Sequence, residues 1–443
     1  MQHILFISAP FGPFFRKAAQ KLSESGHSVW RIVWEGGDLL ETPRRHWVMY
    51  RGHPSGEEAF IRQVLLQKHI TTVITYNDTG RRNQLAIKLA RELELNRYVL
   101  ENGYLRPHWV TLDREGVNGY SKLPKDPDFY NSVPRDSAEI VTFPVRMRDH
   151  VKSTMKHFAA TIALSPLLPF DPRYYGDSLW RQARHYAKEY LWRITHDEKE
   201  KAAEIIVRKR REAAKVFAVL MQKPGDAQLR VHSPYCRNRL FLIQVCESFA
   251  AHAPANAILA VKQHPYDYGV ERSPRFFRAL VRRLGIERRA YYFRKTSIDI
   301  VLDNADGLIT VNSTGGLTAL LRGLPVICCG SAIFDMPGLT FQNGLDRFWW
   351  DAAPPSRPAA DAFANYLRTH SQLNGGFHHP LGIELTSGFL TRVITENSLA
   401  PHHDSVLERS RQASAKASMQ PQLPRFDNGS EGVRLRNIAS KRA

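Results

Sequence analysis

The chain has 443 residues, of which 43% are hydrophobic and 24% charged, and its formal net charge is +19. This length predicts two domains, each with its own core. No apolar stretch is long enough to span a membrane, and the N-terminus lacks a basic n-region and a cleavage site. The four cysteines have no metal-ligand or redox spacing. We therefore expect a cytoplasmic protein with reduced thiols, no signal peptide and no membrane span.

The positive charge predicts an anionic partner. Nucleic acid, an anionic membrane surface and anionic small substrates are the three classes to consider. The sequence has no nucleic-acid-binding motif, and its basic residues are spread along the chain. The charge therefore favours a membrane surface or an anionic substrate over nucleic acid.

Residues 1–147 have the strand and helix alternation of a Rossmann-like domain. There is no GxGxxG motif, which argues against a dinucleotide. Glu101 and Asn102 follow the last predicted strand, where catalytic groups of such sheets gather, although a solvated turn is the alternative for Glu101. Residues 116–135 are rich in Gly, Pro, Asn and Ser and predict a loop. The predicted strands are 3–8, 29–33, 71–76 and 98–100. One predicted helix ends at Leu22, and two others span 57–69 and 84–93.

Residues 148–214 predict a helical insertion of strongly mixed charge. Aromatic residues are interleaved with the charges between Tyr174 and Trp192. An insertion with amphipathic faces is one interpretation, and a basic, aromatic surface that rests on an anionic membrane is the other. From residue 399 to 443 the chain is rich in Ser, Gln, Arg and Lys, which predicts a disordered basic tail.

Residues 215–398 predict a second Rossmann-like domain. With the first, it gives an α/β protein of the glycosyltransferase B type, with a helical insertion and a disordered tail. The predicted strands are 216–221, 257–262, 290–293, 307–311 and 325–330, and the predicted helices are 236–252, 274–285 and 317–322.

A small polar turn, Asn312-Ser313-Thr314-Gly315-Gly316, joins a strand to a helix in this second domain. It places hydroxyls, backbone N–H groups and two glycines at a helix N-terminus. Hydrogen bonds and the helix dipole favour a phosphate there. An ordinary capped helix is the alternative, since Ser and Thr cap helices in many proteins.

Two further strand ends in the second domain carry polar groups. Gln222 and Asp226 follow one strand; Asp226 could approach an anomeric carbon or serve as a turn residue after Pro224-Gly225. Lys262 ends the next strand, and His264-Pro265 follows it. A lone histidine is usually structural, but its place at a strand end near a lysine favours a binding role.

Four ordered stretches resemble the KpsS/LipB-type capsular polysaccharide biosynthesis and export proteins, a family of retaining β-Kdo transferases. Kdo is 3-deoxy-manno-oct-2-ulosonic acid. Each stretch is weak alone, but the ordered set is specific and covers residues 1–395. The stretches are ENGYLRP from Glu101 with GVNGYS from Gly116, QxxxD at 222–226, KQHP at 262–265, and VNSTGGL from Val311 through GLT at 338–340.

The resemblance implies transfer of Kdo from CMP-β-Kdo to a lysophosphatidylglycerol or Kdo-lipid acceptor, which starts the poly-Kdo linker of a capsule. Donor and product are both β, so the configuration would be retained, and double displacement is one route to retention. Asp226 is then the nucleophile and Glu101 the acid/base from the opposite half. Related Kdo transferase domains carry an acidic residue where this chain has Asn102, so Asn102 belongs to the candidate catalytic set with His264.

The resemblance also implies a CMP-Kdo site in the second half and no metal or other cofactor. It implies a place at the inner-membrane surface, with other capsule assembly proteins as further partners. A UDP-sugar 2-epimerase-like enzyme and a non-catalytic adaptor in capsule export are the alternatives. The predicted donor-binding residues are Gln222, Lys262, His264, Pro265, Asn312, Ser313, Thr314 and Gly315.

Overall fold

The computed structural model describes residues 1–132, 140–168, 214–267, 269 and 271–397, with isolated helical positions between 184 and 211. Apart from those positions, the predicted helical insertion beyond residue 168 lies outside the described residues, as does the predicted tail. The division into domains at residues 147, 214 and 398 stays a prediction.

Twelve strands lie within the described residues, and they form two sheets. The strands are β1 (His3–Phe6), β2 (Ser28–Val33), β3 (Trp47–Met49), β4 (Thr72–Tyr76), β5 (Asn96–Asn102), β6 (Trp109–Asp113), β7 (Val216–Leu220), β8 (Ile258–Lys262), β9 (Ala290–Phe293), β10 (Gly307–Thr310), β11 (Val326–Cys328) and β12 (Gln372–Asn374).

The first sheet has the strand order β12-β6-β5-β4-β1-β2-β3. Strands β1 to β5 pair in parallel, so the polar segments after β1, β4 and β5 emerge at one edge. The antiparallel strands β6 and β12 extend the sheet on one side. Because β12 comes from the C-terminal part of the chain, that part returns to the first sheet.

The second sheet has the order β11-β10-β7-β8-β9, and every pair in it is parallel. Its strands are continuous apolar runs, because helices cover both faces of the sheet. Phe217 and Val219 pack into one hydrophobic cluster, and Ala218 and Leu220 pack into another on the opposite face. The two sheets confirm the predicted α/β fold with two Rossmann-like halves, as expected for a glycosyltransferase B-type protein.

The helices connect the strands and cover the sheets. Apart from the isolated helical positions between 184 and 211, the helices of the described residues are α1 (Phe14–Glu24), α2 (Gly36–Glu41), α3 (Glu57–Gln67), α4 (Arg81–Glu92), α5 (Pro127–Asn131), α6 (Met147–Ala163), α7 (Ala227–Val231), α8 (Asn238–His252), α9 (Ser273–Arg283), α10 (Ile298–Asp303), α11 (Thr314–Leu321), α12 (Leu345–Asp351), α13 (Arg357–His370) and α14 (Pro380–Glu396). Short 3₁₀ turns lie at 44–46, 54–56 and 118–120.

The predicted loop 116–135 contains more regular structure than its composition suggests. A 3₁₀ turn spans Asn118–Tyr120, and α5 follows it. Pro127 lies at the start of α5, and the Asp126 carboxylate accepts the Asp128 N–H. These are favourable helix-start signals, so local capping makes a short helix in a segment rich in turn residues.

Helix α14 packs against α1 on the first sheet. Ile383 and Leu390 of α14 belong to the same hydrophobic cluster as Phe14 and Leu22 of α1. Lys17 and Lys21 form ion pairs with Glu384 at 2.9 and 2.6 Å. Within the part of the chain described here, no helix combines the length and apolar character needed to cross a membrane.

Candidate active site

The turn after β10 opens helix α11 with a side-chain cap. The Gly315 N–H donates to Ser313 Oγ at 3.2 Å. A Cβ on Gly315 would lie 2.6 Å from Leu220 Cδ1, and a Cβ on Gly316 would lie 2.8 Å from Phe334. The two glycines therefore let the start of α11 lie close against the sheet. Thr314, the first residue of the helix, is partly buried at this N-terminus.

Gln222 and Asn312 bind one another rather than facing open space. Gln222 Nε2 donates to Asn312 Oδ1 at 2.6 Å, and both side chains are buried. Asn312 Nδ2 donates to the backbone carbonyls of Gln228 and His232 at 3.1 and 3.3 Å. These amides tie the ends of β7 and β10 to helix α7.

Asp226 caps helix α7, six residues after β7 ends. Its Oδ1 accepts the Gln228 N–H at 2.9 Å, and its own N–H donates to the Lys223 carbonyl at 3.0 Å. The side chain is partly buried. One carboxylate oxygen is thus held by the helix start, which fixes the position of the group.

Glu101, at the end of β5 in the first sheet, lies within electrostatic reach of Asp226. Burial, together with the negative charges of Asp226 and Asp78, raises the pKa of Glu101 to about 7. The Asn102 N–H donates to Glu101 Oε1 at 2.8 Å and, with the Arg106 charge, opposes this rise. Glu101 can therefore gain or lose a proton near neutral pH.

Asn102 connects Glu101 to a tyrosine. Its Nδ2 donates to the Tyr76 hydroxyl at 2.9 Å and to Glu101 Oε1 at 3.2 Å. Asn102 therefore orients the Glu101 carboxylate from the neighbouring position of the strand.

His264 is held as a neutral imidazole. Burial, together with the charges of Lys223, Arg106 and Lys262, lowers its pKa to about 4. The Tyr266 N–H donates to His264 Nδ1 at 3.1 Å, which assigns the proton of the neutral ring to Nε2. His264 can therefore offer an Nε2–H donor.

The other two residues of the KQHP stretch have different surroundings. Lys262 is buried, and its Nζ donates to the backbone carbonyls of Gln263 and Arg294 at 2.7 and 3.4 Å. Its positive charge still acts on His264. Pro265 is exposed, and the chain turns there, with the Asp267 N–H donating to the His264 carbonyl at 3.0 Å.

The site also includes cations that the sequence prediction left out. Arg106 acts on both Glu101 and His264, and Lys223 acts on His264 and on His150 of helix α6. Both follow strand ends, but so do many surface cations. In the folded structure, Arg106 of the first half and Lys223 of the second both lie near the His264 imidazole, and the sequence alone does not show this.

His232 is a second residue that sequence reasoning missed. Its buried ring packs edge-on against Tyr120 of the first half, with 4.6 Å between ring centroids. A Cβ on Gly119 would lie 2.3 Å from His232 Nδ1. The Val117 N–H donates to Asp78 Oδ2 at 2.7 Å, which anchors the same loop in the first half. The GVNGYS stretch is therefore a contact between the halves.

A separate buried network lies beside helix α2. His157 of α6 contacts Glu35 at 2.9 Å and Glu41 at 3.2 Å, and Arg31 pairs with Asp38 and Glu41. Glu35, Asp38 and His157 are near enough to one another to hold a metal ion. In this structure these groups form ion pairs that attach α6 to α2.

Residues 71–378 match the family model described as capsule polysaccharide biosynthesis protein. The chain is 30% identical over 410 residues to the capsule polysaccharide modification protein LipB of Neisseria meningitidis serogroup B, covering 90% of this chain and 96% of LipB. It is 29% identical over 391 residues to the capsule polysaccharide export protein KpsS of Escherichia coli, covering 84% of this chain and 96% of KpsS.

Among solved structures, the chain is similar to Thermosulfurimonas dismutans KpsC, a beta Kdo 2,7 transferase. That match has 15% sequence identity and a TM-score of 0.41, and covers 89% of this chain and 100% of the other. The family match and the two relatives confirm the predicted resemblance, and the chain belongs to the family of capsule polysaccharide biosynthesis proteins.

Proposed function

We propose that the chain is a retaining glycosyltransferase that moves Kdo from CMP-β-Kdo to a lysophosphatidylglycerol acceptor. The product would begin the poly-Kdo linker of a capsular polysaccharide. The names of the relatives, a capsule polysaccharide modification protein and a capsule polysaccharide export protein, are consistent with a step in capsule assembly.

The observation that carries the proposal is the pair formed by Glu101 and Asp226. They come from different sheets, yet the charge of Asp226 contributes to the raised pKa of Glu101. Retention by double displacement needs a carboxylate nucleophile and a second group that moves a proton. A fixed carboxylate opposite one that titrates near pH 7 supplies these two roles.

In the first step, an Asp226 oxygen attacks the anomeric carbon of Kdo. A bond forms between that oxygen and the carbon, and the bond from the carbon to the CMP phosphate oxygen breaks. CMP leaves with the electron pair, so this step needs no proton from the protein. The product of the step is a Kdo ester of Asp226.

In the second step, the acceptor hydroxyl attacks the same carbon from the opposite side and releases Asp226. Glu101 accepts the proton of that hydroxyl. In the ester, Asp226 is neutral, so it no longer raises the pKa of Glu101. Glu101 therefore becomes more fully ionised when it must act as a base, and two inversions give net retention.

The donor phosphate would lie at the start of helix α11, near Ser313 and Thr314. The helix N-terminus, the hydroxyls and the His264 Nε2–H are hydrogen-bond donors of the kind that a leaving phosphate requires. Lys223 and Arg106 add positive charge beside His264. Gln222 and Asn312 would act as positioning residues, because their amides are bound to one another and to the backbone.

The acceptor is a lipid, so the protein should work at an anionic inner-membrane surface. The net charge of +19 supports this part of the proposal. Apart from positions 184, 188 and 191, the residues expected to contact lipid, 174–192 and the tail from 399, lie outside the described residues. Co-sedimentation should be stronger with anionic than with neutral vesicles and should weaken with added salt. Equal, salt-independent binding would contradict surface association.

The test of the proposed activity is incubation with CMP-β-Kdo and a lysophosphatidylglycerol analogue, followed by mass spectrometry. We expect an acceptor that has gained Kdo residues, together with free CMP. Absence of product in a folded protein that binds CMP would favour a non-catalytic role in capsule export. Binding of UDP in preference to CMP would instead favour an epimerase-like enzyme.

A further inference from the structure

A narrow pocket lies between the GVNGYS loop of the first half and the start of helix α11 in the second. Its polar lining residues come from separate segments of the chain. They are Tyr104, Asn118, Gln228, Asn312, Thr314 and Ser331. The pocket has free space for about one water molecule, which suits a hydroxyl or hydroxymethyl group better than a ring.

Two walls of this pocket belong to the machinery of the proposed reaction. Gln228 lies two residues after Asp226, and its backbone N–H donates to Asp226 Oδ1. Thr314 opens helix α11, where the donor phosphate is proposed to lie. A sugar with its anomeric carbon at Asp226 and its phosphate at Thr314 would have its remaining atoms beside this pocket.

One residue of the lining, Gln228, has an unmet hydrogen-bonding need. Within the described part of the chain, no donor reaches the buried Gln228 Oε1. A buried acceptor without a partner is costly, and an incoming hydroxyl would supply the missing donor. In contrast, Asn312 Oδ1 accepts a hydrogen bond from Gln222 Nε2, so the lining combines an unfilled acceptor with a satisfied one.

We infer that this pocket binds a hydroxyl group of the donor sugar, with Gln228 Oε1 as its acceptor, and so helps the enzyme to select a polyhydroxylated sugar acid. This inference rests on the proposed function. It adds Gln228 as a specificity-determining residue and places part of the sugar between the two halves.

Gln228→Leu is a clean test because the structural bonds of residue 228 use its backbone. The N–H bonded to Asp226 and the carbonyl bonded to Asn312 both remain in the variant. Gln67→Leu, at the exposed end of α3, is the matched control for the same substitution. Ser331→Ala removes a second polar group from the lining. If Gln228→Leu does not fold, the effect of Ser331→Ala on CMP-β-Kdo binding tests the inference.

The experiment measures dissociation constants for CMP and for CMP-β-Kdo, without acceptor, in the full-length Asp226→Asn protein, which cannot form the Kdo ester and serves as the parent, and in each variant made in that background. We expect Gln228→Leu to weaken CMP-β-Kdo binding about tenfold and Ser331→Ala to weaken it less, with CMP binding unchanged within about twofold. Gln67→Leu should match the parent. Unchanged CMP-β-Kdo binding in both pocket variants overturns the inference, and so does an equal loss for CMP. Failure of the parent chain to bind CMP would instead overturn the proposed function itself.

Discussion

Glu101 and Asp226 belong to different sheets, and the negative charge of Asp226 acts on the Glu101 carboxyl. Glu101 is the penultimate residue of β5, and Asp226 caps a helix that follows β7. Burial and this charge together raise the pKa of Glu101 to about 7. The pairing brings a residue of β5 in the first sheet near a residue that follows β7 of the second, so it joins the fold to the proposed chemistry.

The first prediction concerns the nucleophile. Asp226→Asn should lower Kdo transfer on the order of 10³-fold or more, since the lost interaction is specific to the reacting centre. CMP affinity should stay within about twofold, because the amide oxygen still accepts the Gln228 N–H. Product formation and CMP titration measure the two quantities. The control is Asp361→Asn, on the exposed face of α13, which should change neither Kdo transfer nor CMP affinity. If Asp226→Asn retains transfer, Asp226 is not the nucleophile, and Glu101 or Asp78 becomes the next candidate.

The second prediction concerns the titration of Glu101. NMR of the protein labelled with ¹³C at glutamate carboxyls should show one group with a pKa near 7 that disappears in Glu101→Gln. In Asp226→Asn the same group should titrate at lower pH, because a neighbouring negative charge has been removed. A pKa for Glu101 that does not respond to Asp226→Asn would mean that the carboxylates are too far apart to cooperate.

The third prediction concerns the phosphate. Ser313→Ala combined with Thr314→Ala should weaken CMP binding by about 1–3 kcal/mol, the usual loss for hydrogen bonds to a charged group. Thr318→Ala is the control, because its hydroxyl donates to the Thr314 carbonyl inside helix α11. If CMP affinity is equal in the double variant and the parent, the phosphate binds elsewhere.

The fourth prediction concerns stability and pH. Burial alone would lower the pKa of His157, but hydrogen bonds with Glu35 and Glu41 and the charge of Asp38 outweigh it and raise the pKa to about 9. Because this value exceeds the ordinary 6.5, the stabilisation is complete below pH 6.5 and is lost as pH rises through 9.

Chemical denaturation at several pH values tests this linkage. His157→Gln should be less stable than the parent by about 1–3 kcal/mol at pH 6.5, and the difference should shrink toward pH 9. Exposed His53 is the control position, where the same substitution should have little effect. A difference that stays constant with pH would mean that His157 is not protonated in the folded protein.

The sequence predicted the second sheet well because its signals are local. The strand predicted at 307–311 is observed at Gly307–Thr310, and the helix predicted at 317–322 is observed at Thr314–Leu321. A buried apolar run, a polar turn and glycines specify such a unit without help from distant residues. The observed helix begins earlier because Ser313 caps it.

The features that the sequence did not reveal depend on distant contacts. β12 is a three-residue strand that forms only by pairing with β6, far away in the chain. In the sequence, His157 is an ordinary residue of a predicted mixed-charge helix. Its contact with Glu35 forms only when α6 packs against α2. His232 likewise has no local signal, because its ring contacts Gly119 and Tyr120 of the other half.

The most direct test of Kdo transfer through Asp226 is peptide mass spectrometry after incubation with CMP-β-Kdo alone. Glu101→Gln should be used beside the parent chain, because without acceptor the ester is lost only to water, and loss of the base slows that attack and lets the ester accumulate. We predict a mass increase of one Kdo residue on the peptide that contains Asp226, and its loss when acceptor is added to the parent. Transfer of Kdo by the Asp226→Asn protein, or a Kdo ester on a different residue, would contradict the proposal.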